Sequence, residues 1–172
     1  MKKRILSLLT VIVFLLTGCA SNIKDGVAFL EEEKYEEAIV CFEKDIAKEK
    51  NRGEAYRGIA IAQYELGDYY GAVDSFEKAL ENKEEATATI YSLMAASCLQ
   101  IQEYEAAIDY YADALEMDGC TEEMKQEILF NEIAIYQELG EWDTVKEKVS
   151  AYVETYPDDI RMNKTGEFLE TR

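Results

Sequence analysis

The sequence predicts an all-α fold: a right-handed superhelical solenoid of about four antiparallel helix pairs with a short C-terminal capping segment. Three observations predict it. An aromatic, a small residue and a second aromatic recur at Tyr35, Ala38 and Phe42, at Tyr69, Ala72 and Phe76, and at Tyr104, Ala107 and Tyr111, with a worn copy at Trp142 and Val145. The lead aromatics are 34, 35 and 38 residues apart, and an internal period in this range marks a repeat array. One proline and nine glycines leave little room for long loops, so the stretches between the repeated aromatics read as helices in close succession.

Each element derives from the period. Residues 21–32 form a first helix, with Ile23, Val27, Ala28 and Leu30 at helical spacing. Residues 36–50 form its partner, with Ala38, Ile39, Phe42 and Ile46 on one face. The pair recurs at 53–66 and 69–82, at 86–101 and 104–117, and at 122–139 and 142–156. Tyr156-Pro157-Asp158-Asp159 stops the last helix, because proline disfavours helical geometry in the residue before it. The remainder, 158–172, carries Phe168-Leu169 and reads as a tail that caps the last pair.

The repeated positions have physical roles. Ala38, Ala72 and Ala107 are small where the two helices of a pair meet most closely. Tyr35, Tyr69, Tyr104 and Trp142 open the second helix and fill the gap between successive units. Phe42, Phe76 and Tyr111 fill the core behind them. Gly67 and Gly140 close first helices in the left-handed conformation that glycine enters cheaply, whereas Glu33 and Gln102 stand at the matching turns.

These residues resemble the tetratricopeptide repeat, a helix-turn-helix unit of 34 residues. The second copy carries the likeness best, through Tyr56, Ile59-Ala60, Gly67, Tyr69, Ala72, Phe76 and Ala79. The array spans 19–157, in repeats at about 19–52, 53–87, 88–125 and 126–157. The resemblance implies that the first helices line a concave groove. On that basis the groove positions are Ile23, Val27 and Leu30, then Arg57, Ile61 and Tyr64, then Ser92, Ala96 and Leu99, and finally Phe130, Ala134 and Gln137. Chaperone-binding members of the family clamp terminal carboxylates with Lys and Asn. Ile23 and Val27 occupy the corresponding early positions here, which argues against that activity.

The N-terminus carries a separate signal. Lys2, Lys3 and Arg4 precede an apolar run from Ile5 to Leu16, the form of a secretory signal peptide. Leu16-Thr17-Gly18-Cys19 resembles the lipobox of bacterial lipoproteins. The resemblance implies removal of residues 1–18 and lipidation of Cys19, which anchors the chain to the extracytoplasmic side of a bacterial membrane. Two or more acyl chains give durable anchoring at about 0.8 kcal/mol per buried methylene. Of the other cysteines, Cys41 and Cys98 fall on apolar helical faces and Cys120 in a loop.

The formal charge is −18. Without the basic leader, 15 bases face 36 acids. That excludes a basic footprint for nucleic acid and charge-driven adhesion of the folded part to anionic lipid. There is no histidine, no glycine-rich phosphate loop and no paired-cysteine zinc spacing, so no catalytic residue, metal site or cofactor is assigned. The expected function is a non-enzymatic scaffold that binds a protein or peptide in the groove. The alternative is an envelope-assembly or cell-wall accessory lipoprotein that recruits or regulates a hydrolase or insertion machinery.

Overall fold

The computed structural model describes residues 23–162. Among them there are eight helices of eight or more residues: α1 (Ile23–Glu31), α2 (Tyr35–Ala47), α3 (Arg52–Glu65), α4 (Tyr69–Glu81), α5 (Ala88–Gln100), α6 (Tyr104–Glu116), α7 (Glu122–Glu138) and α8 (Trp142–Thr155). A single further helical turn lies at 160–162. The described residues contain no strand. Cys19 and the Phe168-Leu169 pair lie outside the described residues.

The chain divides into two compact units, the first ending at Glu84 and the second beginning at Glu85. In the first, α1 packs on α2, α2 on α3 and α3 on α4, with α1 also touching α3. In the second, α5 packs on α6, α6 on α7 and α7 on α8. The small positions sit where helices meet: Ala38, Ala72, Ala107 and Val145 have no exposed surface. Phe42, Phe76 and Tyr111 are buried behind them, as are Cys41 and Cys98.

The turn inside each pair is built one way four times. Glu33, Gly67, Gln102 and Gly140, each two residues before the lead aromatic, have φ of 57°, 78°, 63° and 73°. The next amide reaches back across the turn in the Schellman arrangement: Lys34 N–H to the Phe29 carbonyl at 2.8 Å, Asp68 to Gln63 at 2.8 Å, Glu103 to Cys98 at 2.9 Å and Glu141 to Tyr136 at 3.0 Å. Glu33 and Gln102 therefore hold the left-handed geometry with a side chain attached, which costs each about 1–2 kcal/mol relative to right-handed backbone. The bonds they complete, and the packing of the next helix, outweigh that strain.

Gly67 to Leu80 remains the best-formed copy. Asp68 Oδ1 accepts the Gly71 amide at 3.1 Å and so caps α4. Its other oxygen accepts from Gln63 Nε2 at 3.1 Å, and Gln63 Oε1 in turn accepts the buried Ser75 hydroxyl at 2.6 Å. The N-caps of α2, α6 and α8 make no side-chain capping bond.

The lead aromatics differ in what covers them. Tyr35, Tyr69 and Tyr104 are half-buried, but Trp142 is 46% exposed. The expectation that Trp142 fills a gap between units is thus not met within the described residues. The turn at 160–162, beyond α8, adds Met162 to the core cluster of Ile133, Val145, Val149 and Tyr152.

Candidate functional site

In the first unit the candidate groove residues have separate roles. Ile23 is 8% exposed and belongs to the core with Ala38, Phe42, Ala55 and Ile59; Leu30 packs against the same cluster. Val27 stays at the surface. Arg57 pairs with Glu84 at 2.6 Å. That contact lies off the N–H direction, so Arg57 Nε makes an ion pair without a hydrogen bond. Tyr64 meets Tyr69 edge to face at 5.7 Å, a favoured aromatic geometry. Burial, and then the neighbouring Tyr69, raise the Tyr64 hydroxyl pKa. Ile61 is half-buried.

The second unit has an open cleft of about 270 Å³ between α5 and α7, floored by α6. Ser92 and Ala96 of α5 line one wall. Tyr111 of α6 lies at the base, where its hydroxyl accepts from Asn131 Nδ2 at 3.0 Å. Glu123, Met124, Glu127, Ile128 and Asn131 of α7 form the other wall. Ser92 Oγ is enclosed with no hydrogen-bond partner, an arrangement that costs about 1–3 kcal/mol.

The cleft thus gathers Ser92 and Ala96 but not Leu99, Phe130, Ala134 or Gln137, which are half-buried elsewhere along α5 and α7. Glu127, Ile128 and Asn131 lie inside the fourth repeat, beside the positions assigned to the groove, whereas Glu123 and Met124 lie ahead of it for a specific reason. At 17 residues α7 is longer than the 13-residue α5 and the 14-residue α3. The extra turn lies ahead of the position where the fourth repeat was expected to begin. Thr121 starts it by accepting the Met124 amide at 3.2 Å. The signal in the sequence was the length of the 122–139 stretch.

Phe130 is covered by the chain itself. The Arg161 guanidinium lies 4.2 Å from the Phe130 ring centre, and its Nη1 is 2.8 Å from Glu127 Oε1. Asp159 anchors this turn: it accepts from Arg161 Nη2 at 2.6 Å, from Gln126 Nε2 at 2.8 Å and from the Tyr152 hydroxyl. The Arg161 hydrogen bonds, then that from Tyr152, hold the Asp159 carboxyl well below the usual carboxylate range. A depressed folded-state pKa contributes stability above the unfolded value and loses it as pH falls through the folded value. Asp159→Asn should therefore destabilise at neutral pH, with the gap to wild type shrinking below about pH 4. Urea melts of both proteins at pH 7 and pH 2.5 check this; a gap that is constant with pH would refute it.

Among the described residues no group of His, Cys, Asp and Glu is placed to hold a metal ion. No described helix is long and apolar enough to cross a membrane.

The fold is a succession of antiparallel helix pairs, and comparison with known proteins shows what it resembles. Residues 52–118 match the tetratricopeptide repeat family model. The chain is similar in structure to YrrB, described as a TPR protein with an unusual peptide-binding site, with a TM-score of 0.71 at 19% identity over 87% of this chain and 74% of that one. It is similar to MamA, with a TM-score of 0.69 at 19% identity over 84% of this chain and 81% of that one. The C-terminal part of a TPR repeat-containing protein from Cytophaga hutchinsonii gives 0.55 at 16% identity, over 82% and 67%. No curated protein matches in sequence. The family match covers residues 52–118, and the structural likeness extends the same helical-pair fold over most of the chain.

Proposed function

We propose that this chain is a lipid-anchored, extracytoplasmic scaffold that holds a protein or peptide partner in the α5–α7 cleft. The observation that carries the binding site is the cleft itself. It is open, has a largely apolar floor, and is built partly from Ser92 and Ala96, two positions that the repeat register assigns to a groove. The peptide-binding site ascribed to YrrB is consistent with such a role, as is the absence of a histidine anywhere in the chain. The anchoring part of the proposal rests on Leu16-Thr17-Gly18-Cys19 and the basic, apolar segment before it.

Ala96→Trp fills the cleft from the α5 wall without removing a core side chain. Affinity capture from solubilised membranes should recover a stoichiometric partner with the wild type and lose it with Ala96→Trp at an unchanged melting temperature. The same partner retained by both proteins would defeat the placement. In parallel, Cys19→Ser should release the chain from the membrane fraction, and a mutant still retained and processed at the same site would defeat the anchor.

A further inference from the structure

Resting on the reading of the α5–α7 cleft as a peptide site, we infer that its occupant is a basic, aliphatic segment: a lysine or arginine flanked by leucine-like side chains. The cleft's charge sets the first half of that description. Its lining includes two carboxylates, Glu123 and Glu127, and no cation. Both stand on the α7 wall, four residues apart and so one helical turn apart on the same face. A cation entering there meets the exposed Glu123 carboxylate and shares the Glu127 carboxylate with Arg161, and the whole chain adds to the attraction with a net charge of −18.

The lining between the carboxylates sets the second half. Ala96, Met124 and Ile128 are apolar, and Met124 supplies an unbranched, adaptable side chain that accommodates aliphatic partners of differing shape. A cavity of about 270 Å³ is small for a folded domain, but it fits the side chains of a short peptide. The uncharged polar groups are few, Ser92 on one wall, Asn131 on the other and the Tyr111 hydroxyl at the base, the pattern of a site whose polar contacts fix orientation.

The chain contains an internal precedent at the edge of this cleft. Arg161 already places a guanidinium against Glu127 and over Phe130. The α7 face thus holds an arginine by a carboxylate and an aromatic ring, the two groups suited to that side chain. Arg161 engages Glu127 from outside the cleft, since Arg161 is not among the lining residues. An incoming cation meets Glu123 first and shares Glu127 with Arg161.

The test uses fluorescent, terminally blocked heptapeptides in which one central residue, Arg, Gln or Glu, is flanked by leucines. Binding to the detergent-solubilised full chain is read by anisotropy at low salt. The Arg peptide should bind roughly five- to tenfold tighter than the Gln peptide, as expected for contacts to two partly exposed carboxylates, and the Glu peptide weakest. The double variant Glu123→Gln, Glu127→Gln should remove this ranking while still binding the Gln peptide. Equal binding of the Arg and Gln peptides by wild type would overturn the charge inference and leave the cleft reading standing. A ranking that survives in the double variant would place the cation elsewhere and overturn the assignment. Failure of every peptide to bind would overturn the inference together with the reading it rests on.

Discussion

Replacing Phe42 by alanine is expected to destabilise the chain by about 3–5 kcal/mol, the range for emptying a large aromatic site in a close-packed core. The environment of the ring explains why so much depends on it. Phe42 is 1% exposed and lies between two glycines from neighbouring helices. A Cβ on Gly26 of α1 would come within 2.5 Å of its ring, and one on Gly58 of α3 would come within 2.4 Å. The ring fills space that both helices leave by having no side chain there. The converse substitution tests the same geometry. Gly58→Ala improves helix propensity by up to about 1 kcal/mol but overpacks the ring, at about 1–3 kcal/mol, and the net effect should be a loss. Combining Gly58→Ala with Phe42→Leu should recover part of that loss, because the two sites share one volume and their effects do not add. Chemical denaturation of the three variants checks the set. A Gly58→Ala protein more stable than wild type would mean that the ring is not clamped.

The second large effect is expected at an ion pair in the last helix pair. Glu132 is 6% exposed, and Lys148 Nζ donates to its Oε2 at 2.9 Å. The same ammonium lies 5.2 Å from the Tyr136 ring centre. At the matching positions in the two preceding pairs the chain has Ile59 and Met94, both buried. The fourth pair thus places a carboxylate where its predecessors place an aliphatic side chain. Lys148→Met leaves that carboxylate without its cation. Breaking a fully buried pair costs about 3–5 kcal/mol; Lys148 is 31% exposed, so water relieves some of the penalty and about 2–3 kcal/mol is expected. Adding Glu132→Leu to Lys148→Met should restore wild-type stability or exceed it, since well-packed apolar replacements of buried pairs are neutral or stabilising by about 1–4 kcal/mol. A double variant no more stable than Lys148→Met alone would show that the pair is not the source of the effect.

These two sites mark where the sequence is legible and where it is not. The helix pairs could be read because the constraint is local and repeated: Ala38, Ala72 and Ala107 lie at one register, and each is fully buried. The helix bounds differ most at the exit of α2, placed at 50 from the pattern and found at Ala47. Glu49 and Asn51 take positive φ there, at 54° and 45°, without a glycine to announce it. The Glu132–Lys148 pair and the Asp159–Arg161–Tyr152 cluster were not legible. Each depends on side chains from different elements meeting in space, and charged residues in an acidic, lysine-rich chain give no periodic signal. The candidate site was visible only as a set of first-helix faces. Ser92 and Ala96 fall in the cleft because α5 keeps the repeat register, whereas two of the α7 residues, Glu123 and Met124, come from a turn that the repeat pattern does not contain.

The repeat pattern lies on the faces that build the fold, and the proposed site draws on the early part of α7. The direct test of that division is site-specific photo-crosslinking in membranes. A diazirine-bearing side chain of methionine size introduced at Met124 in the cleft is compared with one at Tyr70, which is 66% exposed on α4. A discrete crosslinked partner is expected from position 124, competed by the leucine-flanked arginine peptide, and none from position 70. Crosslinking from position 70 with none from position 124 would contradict that division.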